Sequence, residues 1–316
     1  MGSDRQPGGR EPCGVVVVDK PAGPTSHDVV ARLRKLYATR RVGHAGTLDP
    51  PATGILLLGL GRATRVLQFL QALPKCYRAE VSFGTATSTE DATGEVLSTR
   101  PCSFDRDDLL RQMAALTGPI EQVPPMVSAV RVGGERLYAA ARRGEEVERA
   151  ARPVTVYDFA LESFDPGGPR GWSATVLVGC SSGTYVRTLA ADLGEALGCG
   201  AHLRTLRRLS VGSLGETEAN TLPALEAMSP EERAAAVLPP AAALRDLKSV
   251  PVAGDALEGV RHGRALEGGG HGWALGQGAE GGAGEGEPLA ILGPDGELVA
   301  VYRRDGAALK AACVLV

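Results

Sequence analysis

Residues 41–61 read RVGHAGTLDPPATGILLLGLG. A single carboxylate, Asp49, stands between a His-Ala-Gly turn and a Pro-Pro pair. Gly43, Gly46 and Gly54 permit tight backbone conformations, and Pro50 and Pro51 stiffen the chain directly after the acid. GILLLGL (54–60) then reads as a buried strand. A loop built this way holds its tip rigidly, which suits a binding or catalytic group. No Lys or Arg lies near Asp49 in sequence, so either a distant cation pairs it or it sits in a cleft with a raised pKa. A lone Asp in a Gly/Pro loop more often only caps a turn.

Outward from this loop, strands and helices alternate without a regular βαβ rhythm. GVVVVDKPAG (14–23) is a β-branched run stopped by Pro and Gly, hence a buried strand and turn. TSHDVVARLRKLY (25–37) has Thr25 or Ser26 as N-cap before apolar residues at helical spacing. Residues 64–73 read as a second helix, 76–84 as a strand and 85–97 as a polar loop leading to another strand. FDRDDLLRQMAALTG (104–118) is an amphipathic helix. Residues 120–147 give a loop, a short strand, a Gly-Gly turn at 133–134 and a helix. Two strands follow within 152–164 and 171–186, then a helix from about Arg187. The pattern favours an α+β fold with a mixed or antiparallel sheet over a doubly wound one. Composition shifts near 220–250, which is rich in Ala, Pro and Glu. Beyond it, 254–266 and 286–316 read as short strands around a PDGE hairpin, with a Gly-rich flexible insertion at 267–287. The expected organisation is a disordered tail at 1–12, a large domain at 13–240 that carries the Asp49 loop and a small β-rich module at 241–316.

The chain has 316 residues, 43% hydrophobic and only 4% aromatic, so aliphatic side chains must fill the core. Net charge is −3, which does not by itself suggest a nucleic-acid partner. Its distribution does leave one open. Residues 1–80 hold 12 Lys+Arg against 6 Asp+Glu, whereas 211–316 hold 8 against 15, and a local basic face attracts phosphate whatever the total. The six cysteines are scattered without a C-x-x-C pair or a His cluster, which argues against structural zinc and for free thiols in a reducing compartment. No secretory leader or membrane-spanning run is read, so a cytoplasmic protein is expected. GLGRAT (59–64) lacks the third glycine and following acid of a dinucleotide site. GCSSGT (179–184) is not a nucleophile elbow.

The opening stretch has a specific likeness. GHAGTLDPPATGILLLGLGRATR resembles the signature of the TruB-type tRNA pseudouridine synthases. VDKPAGPTSHDVV (18–30) resembles the family's N-terminal block, and KCYRAEVSFGTATSTEDATGEV (75–96) the strand and loop that follow. PPMVSAVRVGGERLYAAARRGEEVERAARPVTVY (124–157) resembles the central block and SSGTYVRTLAADLGEALGCGAHLRTLRRLSVG (181–212) the last. These cover most of residues 14–212 in the family's order. The tail is more weakly similar to a small PUA-like RNA-binding module.

The resemblance implies a pseudouridine synthase fold, α+β, with a mixed, mainly antiparallel central sheet flanked by helices. It implies cofactor-free isomerisation of uridine to pseudouridine at position 55 of the tRNA T loop. Residue by residue, Asp49 matches the essential aspartate, Arg187 the arginine that pairs it and Tyr77 the tyrosine on the target base. Tyr185 matches a pocket tyrosine, His44 the histidine of the RNA-contacting loop, Leu206 a uracil-pocket residue and Lys20 the lysine of the first block. For Leu206, Lys20 and Tyr185 the alternatives are a core residue, a turn charge and a buried strand aromatic. The partner implied is the tRNA T stem-loop, met by a monomer without guide RNA. Arg32, Arg34, Lys35, Arg40 and Arg41, with Arg204, Arg207 and Arg208, are candidate phosphate contacts.

The chemistry fits these residue types. The C1′–N1 bond breaks, uracil rotates and a C1′–C5 bond forms, with neither metal nor redox group required. A carboxylate can serve as nucleophile or base, and a flipped base regains lost stacking on an aromatic face. A tRNA-binding module without activity, an Asp-dependent hydrolase and a guide-dependent synthase are the competing readings. Loss of the Asp49–Tyr77–Arg187 set would favour the first, and a second carboxylate the hydrolase.

Overall fold

The computed structural model describes residues 12–126, 128, 131–132, 135–136, 147–169, 171–267, 284–306 and 308–315. Most of the expected Gly-Gly turn and helix of the central block lies outside them, as does most of the Gly-rich insertion. The strands are β1 (Gly14–Lys20), β2 (Val42–His44), β3 (Thr53–Leu60), β4 (Lys75–Phe83), β5 (Thr85–Thr87), β6 (Val96–Thr99), β7 (Gly118–Gln122), β8 (Arg131–Val132) and β9 (Glu135–Arg136). They continue with β10 (Arg152–Gly168), β11 (Gly171–Cys180), β12 (Ala201–Val211), β13 (Asn220–Thr221), β14 (Ser249–Pro251), β15 (Leu266–Glu267), β16 (Pro288–Leu292), β17 (Leu298–Asp305) and β18 (Ala308–Val314). The helices are α1 (Ser26–Leu36), α2 (Leu67–Ala72), α3 (Arg106–Ala115), α4 (Val186–Ala196), α5 (Leu222–Ala227), α6 (Pro230–Ala235), α7 (Pro240–Ala243) and α8 (Gly254–Arg261). The chain divides into two compact units. One holds residues 1–50, 54–72 and 211–316, and the other 51–53 and 73–210.

In the first unit β1 is central. It pairs antiparallel with β3 and parallel with β13, while β2 runs antiparallel on the other side of β3. This parallel pair among antiparallel ones makes the architecture mixed, as expected. Val15–Val18 and Ile55–Leu58 are fully buried, which is why both strands read as continuous apolar runs rather than alternating ones. α1 follows β1 because Thr25 caps it through a box with Asp28: the Asp28 amide donates to Thr25 Oγ1, and the Thr25 amide to the Asp28 carboxylate. Val29, Val30 and Leu33 form its buried stripe. The Tyr37 hydroxyl at the end of α1 donates to the Arg233 carbonyl of α6, and Arg233 Nη1 donates to the Leu36 carbonyl.

The same unit carries a separate five-stranded sheet in the order β14-β16-β17-β18-β15. Val250, Val252, Leu266, Ile291, Val299 and Tyr302 form its own core. The 254–266 segment corrects the strand expectation, because 254–261 is helix α8. Ala256, Leu257 and Val260 lie at helical spacing and pack on that core. Arg65 Nη1 donates to the Val314 carbonyl at 2.7 Å, and the Arg303 guanidinium lies over the Phe69 ring.

The second unit orders its strands β12-β4-β11-β10-β7, with the β4–β11, β11–β10 and β10–β7 pairs antiparallel. Phe83, Phe104, Phe164 and Trp172 meet in an aromatic cluster. The polar 85–97 stretch is a hairpin of β5 and β6. All six cysteines are free thiols, and among the described residues no helix is long and apolar enough to cross a membrane.

Candidate active site

The Asp49 loop, in the first unit, is fixed from both sides of the acid. Upstream, the Ala45 amide donates to the Leu57 carbonyl at 2.9 Å, and Gly46 takes φ +89°. The Leu48 amide donates to Ser26 Oγ at 3.0 Å, while that hydroxyl donates to the Leu48 carbonyl at 3.2 Å. Downstream, the Pro50 carbonyl accepts from the Gly23 amide at 2.9 Å and from Lys20 Nζ at 3.1 Å. Gly54 then takes φ +100°, opposite Lys20 in the β1–β3 register. A side chain at either glycine would be strained there. The bonds go to backbone groups of the flanking residues, and the Asp49 side chain is half-buried.

Lys20 is fully buried. Its ammonium donates to the carbonyls of Pro21 (2.9 Å), Pro24 (2.8 Å) and Pro50 (3.1 Å). A lysine has three protons to give, and each charge-assisted bond contributes about 1.5–3 kcal/mol. It ties the turn after β1 to the aspartate loop. His44 ends β2, opposite Leu58, and its imidazole meets that of His27 on α1, edge to face.

In the second unit, Arg187 lies in the first turn of α4 and is nearly buried. Its Nη1 donates to the Thr89 carbonyl at 3.1 Å and lies 3.9 Å from the Asp91 carboxylate. Asp91 is held in turn. Thr89 Oγ1, Thr93 Oγ1 and the Thr93 amide donate to it at 2.7, 2.6 and 2.9 Å. Burial pushes the Asp91 pKa up, but the bonds from Thr93 and Thr89 and the Arg187 charge outweigh it, so the net shift is downward. Glu90 behaves oppositely. Burial raises its pKa, only partly offset by the Thr188 hydroxyl, which donates to it at 2.6 Å, and by the Arg187 charge. Glu90 also takes φ +62°, a left-handed conformation unusual for a side-chain-bearing residue.

Tyr185 caps α4 without using its own side chain. Gln122, almost wholly buried, accepts from the Tyr185 amide at 2.7 Å and donates to its carbonyl at 3.0 Å. Tyr77 lies on β4 opposite Val178 and is nearly buried. Leu206 lies half-buried on the neighbouring β12, its carbonyl 3.5 Å from the Thr53 hydroxyl. The structure thus gathers Lys20, His44 and Asp49 in one unit, and Tyr77, Tyr185, Arg187 and Leu206 in the other.

Sequence reasoning missed several groups. Ser26 is free to hold Leu48 because Thr25 takes the cap. Asp91 was signalled only by its place between Thr89 and Thr93, a spacing that favours local side-chain turns. Gln122 gave no signal. Of the candidate phosphate contacts, Arg208 is buried, only 1% exposed, and Arg204 is committed to Glu80 and Ser82 at 3.1 Å each.

Comparison with known proteins gives the family. Residues 34–186 match the family model of the TruB family pseudouridylate synthase N-terminal domain, and 187–247 that of the tRNA pseudouridylate synthase B C-terminal domain. The chain is 44% identical to the tRNA pseudouridine synthase B of Arthrobacter sp. (strain FB24), over 94% of each chain. It is 46% identical to that of Thermobifida fusca (strain YX), over 91% of this chain and 93% of the other. A solved Cbf5-Nop10-Gar1 complex superposes with TM-score 0.74 at 28% identity, over 96% of this chain and 85% of the other. An H/ACA RNP bound to a substrate RNA containing 2′-deoxyuridine superposes with TM-score 0.70 at 27% identity, over the same shares. The class so defined is a pseudouridylate synthase. Within that class, the chain belongs to the TruB family.

Proposed function

We propose that this chain isomerises uridine to pseudouridine at position 55 in the T loop of tRNA, acting as a monomer without guide RNA or cofactor. The observation that supports this most is the tethering of Asp49 on both sides, through Leu48 and Pro50. A group that reacts at one ribose or base carbon gains most from being held in one posture before the substrate arrives. The relatives named tRNA pseudouridine synthase B support tRNA as the substrate.

In this reading the target uridine is extruded from the T loop, and Tyr77 stacks on it, recovering part of a cost of a few kcal/mol. Asp49 acts on the nucleotide by attack at C1′, attack at C6 or proton removal from C2′. The C1′–N1 bond breaks, uracil turns and C5 bonds to C1′. The C5 proton then leaves, relayed by the Tyr77 phenol. Arg187 keeps Asp49 ionised, Tyr185 and Leu206 flank the base and His44 meets the RNA. Lys20 serves through the loop it braces.

The test is incubation of the purified protein alone with an unmodified tRNA and with the same tRNA carrying cytidine in place of the T-loop uridine, followed by pseudouridine mapping. One pseudouridine, at the T-loop position and lost in the substituted tRNA, is expected. Product elsewhere, or none without added RNA or protein, overturns the reading.

A further inference from the structure

The first turn of α1 touches the aspartate loop twice. Ser26 holds both backbone groups of Leu48. His27, the next residue, sets its ring against that of His44 with centroids 5.4 Å apart and planes at 79°. The helix cap consumes neither residue, since Thr25 and Asp28 complete it between them. The backbone of His44 is fixed by the β2–β3 ladder, and the His27 ring borders its side chain. Edge-to-face contact between rings is a favoured geometry, and here it bears on the His44 ring from the helix side. His27 itself is exposed, so burial gives it no role in the core.

We infer that His27 is a positioning residue for His44. It holds the His44 imidazole in one orientation, ready to donate an N–H to a phosphate or base acceptor of the T loop. This rests on the reading of His44 as an RNA contact given above. Neither a cap nor a core role accounts for an imidazole at this position, whereas a second ring beside an RNA-contacting ring does. The same turn then fixes the loop at two levels, with Ser26 setting the backbone before Asp49 and His27 the side chain five residues earlier.

The test is a double-mutant cycle on affinity for a T-arm RNA, with single-turnover pseudouridine formation measured at saturating enzyme. The variants are His27→Ala, His27→Phe, His44→Ala and the His27→Ala/His44→Ala pair. His27→Ala is expected to weaken RNA binding by about 2- to 10-fold, the fold-change equivalent of one aromatic contact. The saturating rate and the melting temperature are expected to stay as in the wild type. In the His44→Ala background the same substitution is expected to cost nothing more, and His27→Phe, which restores a ring, to keep most of the affinity. A loss that persists undiminished without His44, or no loss at all, overturns the inference. Wild-type turnover separates this from the function itself. Absent product with intact coupling overturns the activity alone, product without coupling overturns His27 alone, and absent RNA binding overturns both.

Discussion

The Asp49 loop and the Arg187 surround are fixed by opposite means. Around Asp49 the bonds go to backbone: Ser26, Gly23 and Lys20 grip the amide or carbonyls of Leu48 and Pro50. Around Arg187 they converge on side chains, with Asp91 polarised by two threonines and Glu90 fixed by a third. The first arrangement sets where a charge stands. The second sets how strongly a charge is felt, because carboxylates close to a guanidinium adjust its field. Changes in the first region are therefore expected to act mainly on geometry, and changes in the second on electrostatics and pH response.

The largest effect is expected at Asp49 itself. Asp49→Asn keeps the shape and removes both nucleophile and base, so single-turnover product formation at saturating enzyme is expected to vanish. Its melting temperature is expected to fall little, because the bonds from Ser26, Gly23 and Lys20 go to backbone groups and survive the substitution. Appreciable product would end the assignment.

Lys20→Met comes next. It removes a buried ammonium from three carbonyls and is expected to cost about 2–4 kcal/mol of unfolding free energy in denaturant titration, less than three charge-assisted bonds summed because the burial cost of the charge is relieved with it. Turnover falls with it as the loop loosens. Lost turnover at unchanged stability would instead make Lys20 a substrate contact and blur the contrast between the two regions.

Asp91→Asn is expected to cost about 1–2 kcal/mol, with a pH signature. Its pKa is lower in the folded protein than the ordinary 3.8, so the ionised group's contribution is full above that value. It is lost as pH falls through the lowered folded pKa, and the stability gap to the variant closes there. A gap unchanged into strong acid would show that charge is not its role.

Glu90→Gln is the smallest change and runs the other way. Because burial raises the Glu90 pKa in the fold, the folded state binds more protons than the unfolded between 4.5 and the raised value. Stability falls as pH rises through that window. The amide keeps an acceptor for Thr188 without the charge, so a gain of under about 1 kcal/mol at neutral pH is expected after screening. Thermal unfolding at neutral and acid pH checks it, and a loss of stability at neutral pH would show that the charge on Glu90 is needed.

How much of this was legible follows from where each signal lives. The β1 and β3 strands were readable because Val15–Val18 and Ile55–Leu60 are buried on both faces and so uninterrupted. α1 was readable from Thr25 and the spacing of Val29, Val30 and Leu33. Strand β12 gave no reading of its own, since Arg204, Arg207 and Arg208 break the alternation and one of them, Arg208, is buried. α8 was missed because Gly254 and Gly259 weaken its helical pattern, and only the sheet beneath it settles the conformation. In the site, Asp49 was conspicuous from its neighbours in the chain. Asp91, Gln122 and Ser26 were not, because each acts on a partner 22 to 96 residues away, and such pairings are created by the fold.

The Ser26–Leu48 link has a consequence for the order in which the protein opens. A backbone amide bonded to a hydroxyl is released only when one of the two segments moves. Leu48 donates its amide to a side chain in the first turn of α1, so it exchanges with solvent deuterium when that turn frays or when the loop itself lifts. The aspartate loop and the start of the helix therefore form one cooperative unit. Site-resolved exchange is expected to find the Leu48 amide protected to the same degree as the first bonded amides of α1, although no ladder of strand or helix bonds includes it.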